Sequence, residues 1–172
     1  MHIWRRALSL ATLVSAIACT SQSVYAQSRA LTLPRAAGVE EGVRAFMRAV
    51  AHDVTEEGPA AWRKHFVDTP SFFMAVDGHL AFPSGAAAMA AIPDLVRTIK
   101  HIELRWGDDL RVDPLTTDLA VVATSWHEVI VDAEGKRLEE GGYFTGTIEY
   151  RGGRWQFRNA HWSSAVPGPP AP

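Results

Sequence analysis

Four consecutive segments in the C-terminal half alternate apolar and polar residues with a period of two: HIELRWGDDLRV, LAVVATSWHEVIVD, GGYFTGTIEY and RWQFRNAHWSS. A strand of that period buries one face and must find neighbours for its backbone. The joining segments DPLTTD, AEGKRLEE and RGG carry turn residues. This run of the chain is therefore predicted to form a four-stranded antiparallel meander. One face of such a sheet needs covering, and the residues before His101 have to supply the cover.

They do so with a different period. In VEEGVRAFMRAVAHDVTEE the apolar residues Val39, Val43, Phe46, Met47, Val50 and Val54 recur at spacings of three and four, which predicts an amphipathic helix. Gly58 ends that helix and Pro59 opens a second, PAAWRKHF. SFFMAVDGHLAF reads as two short strands about a two-residue turn at Asp77 and Gly78. SGAAAMAAIPDLVRTI reads as a third helix capped by Ser84, with Pro93 breaking or kinking it. The expected fold class is α+β: a cone-shaped, curved antiparallel sheet packed on three N-terminal helices. A sheet curled round helices leaves a cavity open at one end, where small ligands bind.

The ends of the chain read differently. Residues 1–26 have a basic start at Arg5 and Arg6, an apolar run from Ala7 to Ala18 and a small-residue exit at Ala26, the pattern of a signal peptide cleaved before Gln27. The apolar run is shorter than the roughly 20 residues a membrane span needs. An exported protein, periplasmic or secreted, is the expectation, with lipid anchoring at Cys19 as the variant reading. Residues 27–38 read as a linker, residues 39–164 as one domain and residues 165–172 as a proline-rich tail. Cys19 is the single cysteine, so a chain cleaved after Ala26 has no disulfide and no thiolate site.

Charge limits the partners. The 172 residues carry a formal net charge of -2. Without residues 1–26, which hold two basic residues and no acids, it becomes -4. Nucleic acid and anionic membrane surfaces call for a basic field, which is missing.

Several stretches together resemble one family: the Gly58 to Phe66 helical segment, DGHLAF followed by a small-residue helix, RVDPLTTDLAVVATSWHE, and YFTGTIEYRGGRWQFRNAHWSS with Thr145, Gly153, Trp155, His161 and Ser163 in order. The chain resembles the SnoaL-like branch of the nuclear transport factor 2-like superfamily over residues 39–164. The resemblance implies the cone-shaped fold and chemistry without a cofactor. It does not choose among isomerase, dehydratase, cyclase, noncatalytic binder and association module, because one fold hosts many functions. The isomerases resembled here use a carboxylate on the hairpin strand and a tyrosine on the first helix. This chain has Met74 and Ala75 on that strand, and its only tyrosines beyond residue 26 are Tyr143 and Tyr150. His52, on the first helix, either takes the tyrosine's place as a polar group or sits on the solvent side.

Candidate site residues follow from strand alternation. On the last strand Trp155, Phe157, Asn159, His161 and Ser163 share one face, which places a polar wall beside two large rings. His161 is the candidate proton carrier there, since histidine titrates near neutrality, with Asn159 and Ser163 orienting a ligand. A serine nucleophile is disfavoured, because no orienting acid and no glycine-flanked elbow accompany Ser163. In TSWHEVI either His127 faces inward as a second proton carrier, or Trp126 and Glu128 do, giving an aromatic wall and a carboxylate whose burial raises its pKa. Tyr143, Thr145 and Trp62 complete the expected ligand-binding set. No compact metal-ligand spacing occurs, so no metal is expected. Phe144, Ile148, Trp162 and Tyr150, read as the opposite sheet face, are the expected surface of a homodimer.

Overall fold

The computed structural model describes residues 31–165. The predicted leader with Cys19, and the tail from residue 166, lie outside them. Helix α1 spans Leu33–Glu57 and buries Val39, Val43, Phe46, Met47, Val50 and Val54, the six residues picked out by their spacing. It begins inside the predicted linker, because Pro34 falls in the first turn, where its missing N–H has no helical partner to lose. Gly58 ends it with φ 71°, in the region that favours glycine. A 3-10 turn at Gly58–Ala61 leads into the short helix α2 (Trp62–His65).

Strands β1 (Phe73–Val76) and β2 (His79–Phe82) form the expected hairpin, with Asp77 and Gly78 at φ 47° and 81° in its two-residue turn. Helix α3 (Gly85–Thr98) has Ser84 at its N-cap, whose hydroxyl accepts from the Ala87 N–H at 3.2 Å. Pro93 does not break it. Gly85 N–H donates to Thr69 O at 2.9 Å, and a Cβ on Gly85 would lie 2.5 Å from Val67 O and 2.6 Å from Thr69 N. Both neighbours are backbone atoms that cannot turn aside. Gly85→Ala is therefore expected to destabilise the protein by roughly 1–3 kcal/mol, read as a lowered urea midpoint.

The remaining strands are β3 (Ile99–Trp106), β4 (Arg111–Thr116), β5 (Leu119–Asp132), β6 (Arg137–Arg151) and β7 (Arg154–Ser164). The sheet runs β2-β1-β7-β6-β5-β3, with β4 also pairing β5. Two features differ from a simple meander. The hairpin joins the main sheet through β1, which lies parallel to β7, so the sheet is mixed. The segment HIELRWGDDLRV is two strands, because the chain bends at Gly107–Leu110. Asp109 Oδ1 holds that bend by accepting from Ser125 N and Ser125 Oγ, both at 2.8 Å, and from Thr124 Oγ1 at 3.1 Å. Strand β3 then pairs with the C-terminal half of β5 and β4 with its N-terminal half.

Helix α1 packs across the concave side of the sheet, against β3, β4 and β7. The Trp106 indole N–H donates to Met47 O at 2.7 Å and ties sheet to helix. Phe144, Ile148, Phe157 and Trp162 are buried in this core. Phe144, Ile148 and Trp162 are thus not the exposed dimer face that alternation predicted. Tyr150 is exposed, with its ring 5.2 Å from Trp155.

For Trp162 the reason is a β-bulge. Thr147 pairs with Asn159 while Ile148 pairs with Phe157, so Arg158 is an extra residue on β7. Asn159 Oδ1 accepts from the Thr147 N–H at 3.0 Å across this irregularity. Inward positions on β7 are therefore Phe157 before the bulge and Ala160, Trp162 and Ser164 after it. Everything beyond Arg158 faces the opposite way from the simple count.

Candidate functional site

Between the sheet and the helices the core opens into a cavity of about 230 Å³. Inward positions of six strands and two helices meet there. Helices α2 and α3, with the residue after α2, contribute Trp62, Phe66 and Leu95; β1 and β2 contribute Met74, Val76 and Phe82. Ile99 and Ile102 come from β3, Trp126, Glu128 and Ile130 from β5, Glu140 from β6, and Trp162 and Ser164 from β7. Asp77, in the hairpin turn, completes the wall at its exposed rim. The lining is mostly apolar with a few polar groups, the composition typical of small-molecule pockets.

Three polar features stand out. Glu128 is half-buried at the side of the cavity, directly paired with Glu140 on β6. Burial, helped by the Glu140 charge, pushes its carboxyl from an ordinary 4.5 up to about 7. Asp77 behaves oppositely. It accepts from Ser164 N at 2.6 Å and from Ser164 Oγ at 2.9 Å, and these bonds hold its carboxyl below the usual range. The third feature is the indole of Trp126, 6% exposed, whose Nε1 has no hydrogen-bond partner. A buried N–H without an acceptor is costly and is a place for a ligand acceptor.

Of the predicted residues, Trp62, Trp126 and Glu128 line this cavity. The Trp126 and Glu128 face of TSWHEVI is the inward one. His127 is exposed on the outer face, where its Nε2 lies 2.9 Å from Glu139 Oε1. His161, beyond the bulge, is also exposed on the outer face, paired with Thr145. Neither histidine lines the cavity, so the two do not converge on a common ligand. Asn159 bridges the bulge, and Ser163 Oγ donates to Tyr143 O at 3.0 Å. The side chains of Tyr143, Thr145 and His52 are exposed and lie outside the cavity lining. Sequence reasoning missed Asp77, Glu140 and Ser164 as cavity residues. The signal that finds Glu140 is its pairing with Glu128 across β5 and β6, whereas the inward position of Ser164 becomes legible only once the bulge on β7 is known.

His65 is buried beneath Phe46 with ring centroids 5.7 Å apart. Its Nε2 lies 3.2 Å from Asp53 Oδ2, but outside hydrogen-bonding alignment. Burial outweighs the Asp53 charge and lowers its pKa. It belongs to the core under α1. Among the described residues no group of three His, Cys, Asp or Glu could hold a metal ion, and no helix is long and apolar enough to cross a membrane.

No family model matches the chain, and no curated protein matches it. Solved structures do. A nuclear transport factor 2-like superfamily protein from Salmonella enterica superposes with a TM-score of 0.65 at 13% identity, over 77% of this chain and 95% of that one. A scytalone dehydratase candidate from Novosphingobium aromaticivorans gives 0.62 at 12% identity, over 74% and 84%. The structure of LinA gives 0.60 at 13% identity, over 76% and 88%. At such identities the likeness speaks for backbone architecture. With its curved mixed sheet wrapped on a long N-terminal helix, this chain adopts the nuclear transport factor 2-like fold.

Proposed function

We propose that the cone binds a small, mainly apolar organic molecule and that Glu128 exchanges a proton with it. The observation that carries this reading is a carboxyl group poised at about 7 in a cavity walled by indoles and aliphatic side chains. A general acid or base works best with a pKa near the operating pH, and burial has moved Glu128 there. The reaction class is cofactor-independent acid–base chemistry of the isomerase, dehydratase or cyclase type. Structural neighbours that include a scytalone dehydratase candidate and a hexachlorocyclohexane dehydrochlorinase are compatible with it. Noncatalytic binding is the second reading, because the unpartnered Trp126 N–H holds a ligand acceptor equally well without turnover. The SnoaL-like motif order and the leader-like residues 1–26 support a SnoaL-like, exported protein as part of this proposal.

A thermal-shift screen of small aromatic and alicyclic molecules tests the pocket. Hits should be lost on Trp126→Ala and kept on His161→Ala, since His161 lies outside. If a hit is turned over, Glu128→Gln should slow the reaction by roughly 10²–10⁴-fold while retaining binding. Retained turnover in that variant would remove Glu128 from the chemistry, and binding without turnover in the wild type would favour the noncatalytic reading.

A further inference from the structure

The charged groups lining the cone are all of one sign. Asp77, Glu128 and Glu140 are carboxylates, and the lining contains no lysine, arginine or histidine. The elements around Glu128 offer no compensation. Strand β6 places Glu140 opposite it, β3 places Leu104 opposite it, the hairpin turn contributes Asp77, and α2 and α3 contribute Trp62 and Leu95 to the wall. Lys100, beside the lining residue Ile99, is exposed and does not reach the cavity wall. Like charges facing one half-buried space repel, and the repulsion is relieved by a proton or by a bound cation.

The remaining walls suit a cation with an apolar body. Trp162 meets Trp62 at 6.2 Å with an interplanar angle of 88°, and meets Trp126 at 5.2 Å with an angle of 82°. Indoles at right angles place their faces on different sides of the space, and tryptophan is the best cation–π partner among side chains. A metal ion is the wrong occupant, because among the described residues no three carboxylates or imidazoles gather closely enough to hold one. The charge to be met is spread over the cavity, as in an organic ammonium group.

We propose that the cone selects an organic cation: an apolar amine or ammonium whose charge is met by Glu128, Glu140 and Asp77 and whose body lies against Trp62, Trp126 and Trp162. This rests on reading the cone as a small-molecule pocket and goes further by assigning the ligand's charge. Binding such a cation favours the Glu128 carboxylate over its acid form. Association therefore strengthens as pH rises through 7 and releases protons near that pH.

Three probes test this by tryptophan fluorescence titration: benzyltrimethylammonium, its neutral carbon isostere neopentylbenzene, and the ketone acetophenone. At pH 8 the ammonium is expected to bind at least about ten-fold tighter than its isostere. The gap should narrow at pH 5 and in high salt. Glu128→Gln should weaken the ammonium by about ten-fold and leave the isostere unchanged. Calorimetry at pH 7 in two buffers of different ionisation enthalpy should show proton release with the ammonium alone. Equal affinity for ammonium and isostere overturns the cation assignment and leaves the pocket reading standing. Tighter binding of acetophenone that strengthens below pH 7 also overturns it, because Glu128 would then be serving as a donor. No binding of any probe to folded protein overturns both readings.

Discussion

Glu128→Gln is expected to make the protein relatively more stable as pH rises, with the difference from wild type growing by about 3 kcal/mol between pH 4.5 and pH 8. In wild type the folded state holds a proton on Glu128 up to about pH 7, whereas in the unfolded chain that proton leaves near 4.5. The contribution is fully present below 4.5 and is lost as pH rises through 7, at about 1.4 kcal/mol per pH unit within the window. Glutamine is neutral throughout and has no such slope. His65 works in the other direction, since its depressed pKa makes stability fall as the solution is acidified, but it is common to both proteins and cancels in the difference. Urea denaturation of the two proteins at a series of pH values measures the effect. A difference that stays constant from pH 5 to pH 8 would show that Glu128 ionises normally, and would remove the proton-exchange role with it.

Phe144→Ala is expected to cost about 3–5 kcal/mol, while the neighbouring Tyr143→Ala costs less than about 0.5 kcal/mol. Phe144 is fully buried, with its ring 4.7 Å from Trp162, 5.2 Å from Trp106 and 5.4 Å from Phe157. Truncation leaves a cavity among rigid rings that have little freedom to collapse into it. Tyr143, one residue earlier, points to the outer face and is 40% exposed. Thermal melts should show a fall on the order of 10 °C for the first substitution and little change for the second. The contrast tests the face assignment of β6 and, through the cross-strand pairing of Phe144 with Trp162, that of β7 beyond the bulge. Comparable losses in both variants would mean that the outer face is covered as well.

Local periodicity made much of the architecture legible. Apolar spacing in α1 identified all six of its buried residues, and Ser84 and the Asp77-Gly78 pair marked a cap and a turn, because these features depend on a few neighbouring residues. The late strands were legible as strands for the same reason. Their faces were legible only in part. Trp126 and Glu128 follow strict alternation along β5, but the sequence left two inward faces open for that strand. On β7 the alternation is broken by Arg158, an extra residue with no local signature, and one such insertion carried His161 and Ser163 from the inside of the cone to the outside.

By itself, then, the amino-acid sequence determined the element types, the α+β class and the apolar character of the interior, since each follows from short-range spacing and side-chain chemistry. Tertiary structure alone decided which polar groups meet. Asp77, Glu128, Glu140 and Ser164 come from four separate stretches of chain, and only strand register brings them together. Glu128's pKa of about 7 has the same origin, because burial and the Glu140 charge act through space. No pattern along the chain records that distance.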